Sequence, residues 1–407
     1  MQLRHAVGFS LSWVLASCAT AQVPPAATVV RPGIDVLIED SLYLVKGRAV
    51  GLLTNHTAVD RRGVSDVERL RAAGVNLVAL FTPEHGFRGA ADPGAAVAST
   101  RDSATGLPIY SLYGQNLAPT PAMLSGVDVL LVDLPDAGAR YFTYISTTIE
   151  LMRSPALAGI PVIILDRPDP VGGAVQGNVL DSAARSFVGS VSVPMRHGLT
   201  PGELALLAKQ ERGLGVGLSV VPVAGWHRRQ YLDATGLPFQ APSPNLRDLE
   251  SLIHYSGTCL FEGTNLSAGR GSDAAFSQVG APWLDAAAVL ARLGSQPGVE
   301  LMPTTFTPRR PGDGKYADTL LQGIRLRVTD RAAYDAPATA LRLLVAIRQA
   351  HPTQFAWIPA HFDRLAGQPG LREALDRGAP VDSILAVWEQ QREQFASRAA
   401  GVRIYPE

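Results

Sequence analysis

Short apolar runs that stop abruptly at polar residues recur along the first half of the chain. Buried parallel strands have this continuous apolar pattern. Helix-like stretches separate the runs, such as the one from Val64 to Ala73 that Gly74 closes. This alternation of strand and helix predicts a mostly parallel sheet with right-handed crossovers. The predicted strands cover residues 48–53, 77–82, 127–132 and 160–165.

Polar residues follow each of these four runs. The carboxyl ends of parallel strands lie at one edge of the sheet, and α/β proteins bind ligands in the crevice outside that edge. We therefore expect these polar residues to face a common pocket. They are Asn55 and His56, Glu84 and His85, Asp133, and Asp166 with Arg167.

The second half of the chain has a different pattern. Thr200, Pro201 and Glu203 form an N-terminal capping box, which predicts a helix that ends near Glu211. The apolar run 259–261 is interpreted as a short strand that ends at Glu262 and leads into a glycine-rich loop. Beyond this loop the pattern predicts a strand at 323–328 and helices near 285–294, 335–350, 371–376 and 382–398.

The length of the chain bears on its domain organisation. At 407 residues it exceeds the usual size of one domain, so two packed units are expected. We place an α/β catalytic domain with a mostly parallel sheet at residues 33–280. We place a smaller α+β auxiliary domain, packed over the pocket, at residues 281–407.

The N-terminus has the layout of a secretory signal peptide over residues 1–21, with Arg4 and His5 before an apolar run. Residues 15–18 also resemble a bacterial lipobox, which would make Cys18 the lipid-modified first residue, followed by a tether over residues 22–32. The alternative is plain secretion with cleavage after residue 21. Both predict an exported, periplasmic protein, and lipidation adds an anchor in the envelope. Cys259 would then be the one remaining cysteine, which excludes a disulfide within the mature chain.

Composition and motifs exclude several functions. Lysine plus arginine and aspartate plus glutamate are balanced at 36 each, with no basic tract among aromatics, which argues against a nucleic-acid partner. The turn 54–60 lacks the glycines of a dinucleotide site, and no Walker lysine or Gly-x-Ser-x-Gly elbow is present. His56, His85 and His197 have no zinc-site spacing. We therefore expect no cofactor and no metal, although a metal-dependent hydrolase stays a third hypothesis.

Carboxylate chemistry remains. Glu84 is the best candidate for a general acid, because it follows Pro83 on a pocket-facing turn beside phenylalanines, and apolar surroundings favour a protonated carboxyl group. The alternative for Glu84 is a helix cap or a partner of Arg88. Possible second carboxylates are Asp133, Asp166 and Glu262, without a choice among them; Asp166 can instead pair with Arg167, and Asp133 can orient Arg140.

Arginines on loops suggest recognition of a substrate carboxylate, since a guanidinium forms a two-pronged contact with one. These arginines are Arg88, Arg140, Arg196 and Arg270. Tyr141 and Tyr144 could stack on a sugar ring or donate a hydrogen bond to it, or simply pack under a helix start.

Five motifs in order resemble the exo-β-N-acetylmuramidase family of bacterial peptidoglycan recycling, long labelled a domain of unknown function. The resemblance runs from about Gly33 to the C-terminus. The motifs are Thr54-Asn55-His56-Thr57, Pro83-Glu84-His85-Gly86-Phe87-Arg88-Gly89, the stretch from Asp133 to Tyr144, Asp166-Arg167-Pro168 and Phe261-Glu262-Gly263-Thr264-Asn265.

The resemblance implies a Rossmann-like domain with a smaller auxiliary domain, and release of N-acetylmuramic acid from the non-reducing ends of peptidoglycan fragments. It also implies Glu84 as the catalytic acid, with His85 beside it as a further catalytic candidate. The lactyl carboxylate of muramic acid would explain the arginines, and a noncatalytic binder of wall fragments is the alternative function. The candidate substrate-binding residues are Asn55, His56, Arg88, Asp133, Arg140, Tyr141, Tyr144, Asp166, Arg167, Glu262, Asn265 and Arg270.

Overall fold

A computed structural model describes residues 29–92, 94–157 and 159–407. Its strands are β1 Ala49–Thr54, β2 Asn76–Thr82, β3 Thr100–Arg101, β4 Pro108–Ser111, β5 Val129–Asp133, β6 Val162–Leu165, β7 Gln176–Val179, β8 Pro194–Arg196, β9 Leu218–Val221, β10 Gln278–Ala281, β11 Val299–Phe306 and β12 Leu321–Val328. The α-helices are α1 Gly33–Asp40, α2 Asp66–Ala72, α3 Tyr144–Arg153, α4 Pro201–Arg212, α5 Leu249–Thr258, α6 Ala286–Leu293, α7 Ala336–Ala350, α8 Pro359–Ala366, α9 Leu371–Asp376 and α10 Val381–Ala399.

The main sheet has seven strands in the order β3-β4-β2-β1-β5-β6-β9. Every pairing is parallel except that of the two-residue edge strand β3 with β4. The strands β2 and β4 lie on one side of β1, whereas β5, β6 and β9 lie on its other side. The strand order therefore reverses between β1 and β5. Ligand sites in open α/β sheets lie at such a reversal. The predicted fold class, a mostly parallel Rossmann-like sheet with a smaller C-terminal domain, is confirmed.

Both faces of this sheet are covered, which explains why its strands have continuous apolar sequences. In β5, Val129 and Leu131 pack on the same side as α1 and α2, whereas Leu130 and Val132 belong to the larger core on the other side. Successive residues of a strand point to opposite faces, so both sets of side chains are buried, and apolar, in a strand whose two faces are covered. The polar residues are therefore concentrated at its end.

The second sheet is antiparallel, in the order β10-β12-β11. Helices α6 and α7 pack against each other beside it, and α5 packs against α7. The long helix α10 returns to the first domain, where Phe395 and Ala399 share a core with Leu204 of α4. Strand β10 spans the expected division between residues 280 and 281, and the position of that division stays a prediction.

One predicted element is wrong. Residues 259–261, interpreted as a strand, form a 3-10 helix, Cys259–Gly263, that continues directly from α5. A short apolar run does not distinguish a strand from a buried helical segment. The 3-10 helix packs closely against α8: a Cβ on Gly263 would lie 2.4 Å from the Phe362 Cα atom. By contrast, the capping box predicted at Thr200 and Glu203 is confirmed.

The predicted signal peptide, Cys18 and most of the tether lie outside the described residues. The last residues of the tether are part of the fold: Val30 is buried, and the Arg31 amide donates to the Ala224 carbonyl at 2.9 Å. Within residues 29–92, 94–157 and 159–407, no helix has the length and apolar character needed to cross a membrane.

Candidate active site

A cleft of about 780 Å³ lies at the carboxyl edge of the main sheet. The loops after β2, β4 and β5 form one wall, and the 3-10 helix, the β11–β12 loop and α8 form the opposite wall. The polar side chains of the first wall are Glu84, His85, Tyr113, Tyr141 and Thr143. Those of the second are Glu262, Arg270, Asp313, Lys315, His361 and Arg364.

Glu84 is buried in the first wall and has a fixed orientation. One carboxylate oxygen accepts a hydrogen bond from the Gly94 amide at 2.8 Å, and the other accepts one from the Thr143 hydroxyl at 2.5 Å. Tyr113 lies beside it, and burial together with the charge of Glu84 raises the pKa of Tyr113 to about 12. The phenol is therefore protonated at neutral pH and available as a donor. A carboxyl group held in this way presents a defined edge to a substrate.

His85, the next residue, has a strained backbone. Its φ is +68°, a left-handed value that is uncommon for residues other than glycine and that clusters at functional sites. Its Nδ1 lies 2.8 Å from the Ala91 carbonyl oxygen. A carbonyl can only accept, so Nδ1 carries the proton and Nε2 of the neutral ring keeps its lone pair.

The second carboxylate of the cleft is Glu262, which forms an ion pair with Arg270. Burial alone would raise the pKa of Glu262, but Arg270, and to a lesser extent Lys315, hold it below its usual value. Glu262 is therefore an ionised, charge-compensated carboxylate. Arg270 also lies over the Phe276 ring, 5.0 Å from its centroid, so its position is set by two neighbours.

The other two predicted carboxylates do not reach the cleft. Asp133 pairs with Arg167 through both carboxylate oxygens, and Arg167 also donates to the Val59 carbonyl at 2.9 Å. Asp166 accepts hydrogen bonds from the Thr200 hydroxyl and the Gly202 amide, both at 2.7 Å. Burial raises the pKa of Asp166 to about 6, despite these donors. Asp133, Asp166 and Arg167 thus hold strand ends together and leave no group free for substrate.

Three of the four predicted arginines are also engaged elsewhere. Arg140 is buried and donates to the backbone carbonyls of Asn178 and Val193 on the β7–β8 hairpin and to those of Leu365 and Ala366 in the last turn of α8. Arg196 is buried against Gln176 and Tyr231. Arg88 is exposed, pairs with Asp102 at 3.0 Å and lines a separate cavity of about 220 Å³.

The remaining predicted residues divide in the same way. Tyr141 lines the cleft and its hydroxyl donates to the Ser256 carbonyl at 3.2 Å. The others are used in loop packing, outside the cleft lining: Asn55 donates to the Tyr144 hydroxyl, Tyr144 donates to the Pro242 carbonyl, His56 contacts the Ala241 carbonyl, and Asn265 bonds to the backbone of residues 354 and 356.

The sequence reasoning missed several polar residues of the cleft, including Asp313. Thr143 lies within a recognised motif, but nothing distinguished it there from its neighbours. Tyr113 follows β4, whose sequence has no continuous apolar run and was therefore not identified as a strand. His361 and Arg364 are spaced as neighbours on one face of α8, which could have drawn attention to them. Lys315 lies in the β11–β12 loop, whose sequence gives no indication of its place in the fold.

The arrangement supports proton transfer by a carboxyl group in an open cleft. In the described part of the chain, no group of three or more histidine, cysteine, aspartate or glutamate side chains is placed to hold a metal ion. The fold and the cleft thus define a class: a two-domain α/β protein with a carboxylate site suited to acid-catalysed hydrolysis.

The chain belongs to the exo-β-N-acetylmuramidase NamZ family, whose N-terminal model matches residues 50–250 and whose C-terminal model matches residues 253–405. It is 39% identical over 381 residues to the peptidoglycan β-N-acetylmuramidase NamZ of Bacillus subtilis (strain 168), a match that covers 92% of this chain and 91% of that protein. The resemblance predicted from the five motifs is therefore confirmed.

Two crystal structures of DUF1343 family proteins from Bacteroides fragilis NCTC 9343 have the same fold. BF0371 superposes with a TM-score of 0.84 at 33% identity and covers 94% of this chain and 100% of its own. BF0379 has a TM-score of 0.76 at 29% identity, with coverage of 93% and 99%. The similarity extends over both domains.

Proposed function

We propose that this protein is an exo-acting glycosidase that releases N-acetylmuramic acid from the non-reducing ends of peptidoglycan fragments during cell-wall turnover. The observation that carries the proposal is the position of Glu84 in the wall of the cleft, where its carboxylate accepts hydrogen bonds from Gly94 and Thr143. Membership of the exo-β-N-acetylmuramidase family supplies the substrate class.

In the proposed mechanism, Glu84 in its protonated form donates to the glycosidic oxygen as the bond to the sugar breaks. Cleavage leaves positive charge on the sugar ring, which a second group must stabilise until a water molecule adds to the anomeric carbon. The proton that this water loses balances the one that Glu84 gave to the leaving group. The cleft offers Glu262 for this role, although Arg270 already compensates its charge. The N-acetyl group of the substrate is the other candidate. The protonated Tyr113 beside Glu84 is positioned to keep the carboxyl group oriented after the proton has left.

The test is hydrolysis of the disaccharide N-acetylmuramyl-β-1,4-N-acetylglucosamine by the wild type and by Glu84→Gln, because a sugar leaving group needs a proton whereas para-nitrophenolate leaves without one. Loss of a general acid lowers turnover by about 10²- to 10⁴-fold, so we expect Glu84→Gln to fall in that range with an unchanged melting temperature. Glu68→Gln, an exposed glutamate on α2, is the matched control and should keep full activity.

Two results would count against the proposal. If Glu84→Gln keeps more than about a tenth of the activity, Glu84 is not the acid. If the folded wild type binds muramic acid but cleaves no muramide, the alternative of a noncatalytic wall-fragment binder replaces the hydrolase.

We further propose that the protein is exported to the periplasm and carries a lipid at Cys18. Support comes from residues 1–21, whose charged start, apolar run and lipobox-like end suit a lipoprotein signal. Intact-mass measurement of the membrane-associated protein tests this: the wild type should begin at a diacylated Cys18, and Cys18→Ser should be unmodified. Cleavage after residue 21 without lipid would contradict lipidation but not export.

A further inference from the structure

The cleft contains cationic side chains whose availability differs. Among the described residues, its lining includes Arg270, Lys315 and Arg364. Arg270 is neutralised by Glu262. Lys315 donates to the carbonyls of Glu262, Thr264 and Leu266 at 3.0, 2.6 and 3.0 Å, which uses its three hydrogens. Both cations therefore hold the wall together.

Arg364 differs because its guanidinium is exposed and pairs with no carboxylate among the residues that the structure describes. Its contact is with the neighbouring His361, whose Nδ1 accepts from Arg364 Nη2 at 3.1 Å. Burial, together with the charge of Arg364, lowers the pKa of His361, although the charge of Glu262 opposes this effect. The neutral form of His361 is therefore favoured. A neutral His361 steadies one nitrogen of the guanidinium and leaves its other donors to face the cleft.

The helix that carries Arg364 is held firmly at this point. The carbonyls of the next two residues, Leu365 and Ala366, accept hydrogen bonds from the buried Arg140 at 3.0 and 2.9 Å. A cation at a helix C-terminus also stabilises the helix dipole. Arg364 is thus an exposed cation on a rigid support, which lowers the entropic cost of binding an anion.

We infer that Arg364 binds the lactyl carboxylate of N-acetylmuramic acid and so sets the preference for muramide over glucosaminide. The inference rests on the proposed function. The two sugars differ by the lactyl ether, whose carboxylate is the one fixed negative charge on the muramide. A guanidinium with free donors matches a carboxylate in both charge and geometry. Arg364 is a specificity residue and takes no part in proton transfer.

The test compares two changes, one in the protein and one in the substrate. The enzymes are the wild type, Arg364→Met, Arg364→Lys and Arg377→Met, the last being an exposed arginine outside the cleft lining. The substrates are para-nitrophenyl β-N-acetylmuramide and the same compound with its lactyl carboxylate converted to an amide.

On the muramide, Arg364→Met should lower kcat/KM by about 10- to 100-fold, mainly through KM, because the carboxylate is remote from the bond that breaks. On the lactyl amide it should stay within about twofold of the wild type. Arg364→Lys should recover part of the loss, and Arg377→Met should show none. Equal losses on both substrates, or no loss on the muramide, would overturn the inference.

A binding measurement separates this inference from the proposed function. If the wild type cleaves no muramide, the proposed function fails, and calorimetric titration with N-acetylmuramic acid and its lactyl amide decides the role of Arg364. The wild type should bind the acid more tightly than the amide, and Arg364→Met should not distinguish them. If the wild type shows no such preference, or Arg364→Met keeps it, the inference is wrong.

Discussion

The neighbouring residues Glu84 and His85 have different structural requirements. Glu84 needs hydrogen-bond donors around its carboxylate, and it has them in Gly94 and Thr143. His85 needs a left-handed backbone, which a Cβ disfavours by roughly 1–2 kcal/mol. Strain of this kind persists where the surrounding structure enforces it. The hydrogen bond between the His85 ring and the Ala91 carbonyl is one such constraint.

His85→Gly and His85→Ala separate backbone strain from side-chain chemistry. Both remove the imidazole, so both should lose activity to the same extent. Glycine adopts a positive φ freely, so His85→Gly should be more stable than His85→Ala by about 1 kcal/mol. Urea unfolding of the two variants measures the difference. Equal stability of the two would show that the left-handed backbone at His85 carries no strain.

A buried group beneath the β5 and β6 ends should make stability depend on pH. Burial raises the pKa of Asp169 to about 7, an effect that Asp136 increases and that His197 and Arg196 oppose. A carboxyl group with a raised pKa in the folded state stabilises the fold fully below its unfolded pKa of about 4. That contribution is lost as the pH rises through about 7.

Asp169→Asn tests this dependence, because the amide cannot ionise. The melting temperature of the wild type minus that of Asp169→Asn should fall by several degrees between pH 4 and pH 8. Asp273→Asn, an exposed aspartate, should follow the wild type throughout. A difference that stays constant with pH, or grows as the pH rises, would refute the argument.

At the scale of elements, the position of α8 depends on Arg140. The guanidinium joins the β7–β8 hairpin to the last turn of this helix through four backbone carbonyls. Burial lowers the pKa of Arg140, yet no carboxylate contacts it within the described residues. Its role is therefore to donate to buried carbonyl groups of two elements at once; two of these carbonyls, Val193 and Ala366, also accept from the Leu180 amide and from Asn178 Nδ2.

Arg140→Met should lower the free energy of unfolding by about 2–4 kcal/mol, because four buried carbonyls lose a charged donor at once. It should also raise KM, because α8 carries residues of the cleft. Arg88→Met is the matched control: its exposed pair with Asp102 should contribute no more than about 1 kcal/mol. Denaturant unfolding and steady-state kinetics test both. Similar losses of stability in the two variants would contradict this assignment.

The elements show how far the sequence alone can lead. Strands β1, β2, β5 and β6 were identified because each is buried on both faces and ends in polar residues, and α4 because its capping box is a local motif. The short strands β3, β4, β7 and β8 contain no continuous apolar run, so the sequence pattern does not reveal them. The helical course of residues 259–263 is accompanied by close packing against α8, about one hundred positions further along the chain, which the local sequence does not reveal.

The same limit applies to the candidate site. The sequence placed polar residues at the right sheet edge, but it could not show which of them are already engaged by neighbours. Asp133 forms an ion pair with Arg167. Arg140 donates to carbonyls of α8 that lie more than two hundred positions further along the chain. Such pairings are properties of the folded chain. Glu84 was proposed from its place after Pro83 on a pocket-facing turn and from the family motif; the structure places it in the cleft, and its catalytic role stays a prediction.

At the scale of the whole molecule, the last helix and the residues after it complete the first domain. The Tyr405 hydroxyl donates to Asp166 and accepts from the Val223 amide at 2.9 Å. Nearby, the Ile404 amide donates to Glu203 at 2.8 Å, and the Arg228 amide donates to the Pro406 carbonyl at 2.9 Å. The ends of β6 and β9 and the start of α4 are thus tied to the same short segment.

Tyr405→Phe should lower the free energy of unfolding by about 1–3 kcal/mol, because Asp166 loses a donor and the buried Val223 amide loses its acceptor. The cleft does not include Tyr405, so kcat and KM should stay within about twofold of the wild type. Tyr43→Phe, at a tyrosine that is 74% exposed, should leave stability unchanged. Thermal unfolding measures the difference. If the two variants have equal melting temperatures, the hydroxyl of Tyr405 does not stabilise the fold.

The contact between Asp166 and Tyr405 also limits how early the first domain can be completed during synthesis, because 239 positions separate the two residues. At a synthesis rate of about 5–20 residues per second, Tyr405 is added roughly 10–50 s after Asp166. During that interval the β6 end and the apolar surfaces of α3 and α4 have no cover from α10. The domain whose sequence is made first is therefore completed last, and the chain stays accessible to chaperones and proteases until its final turns have formed.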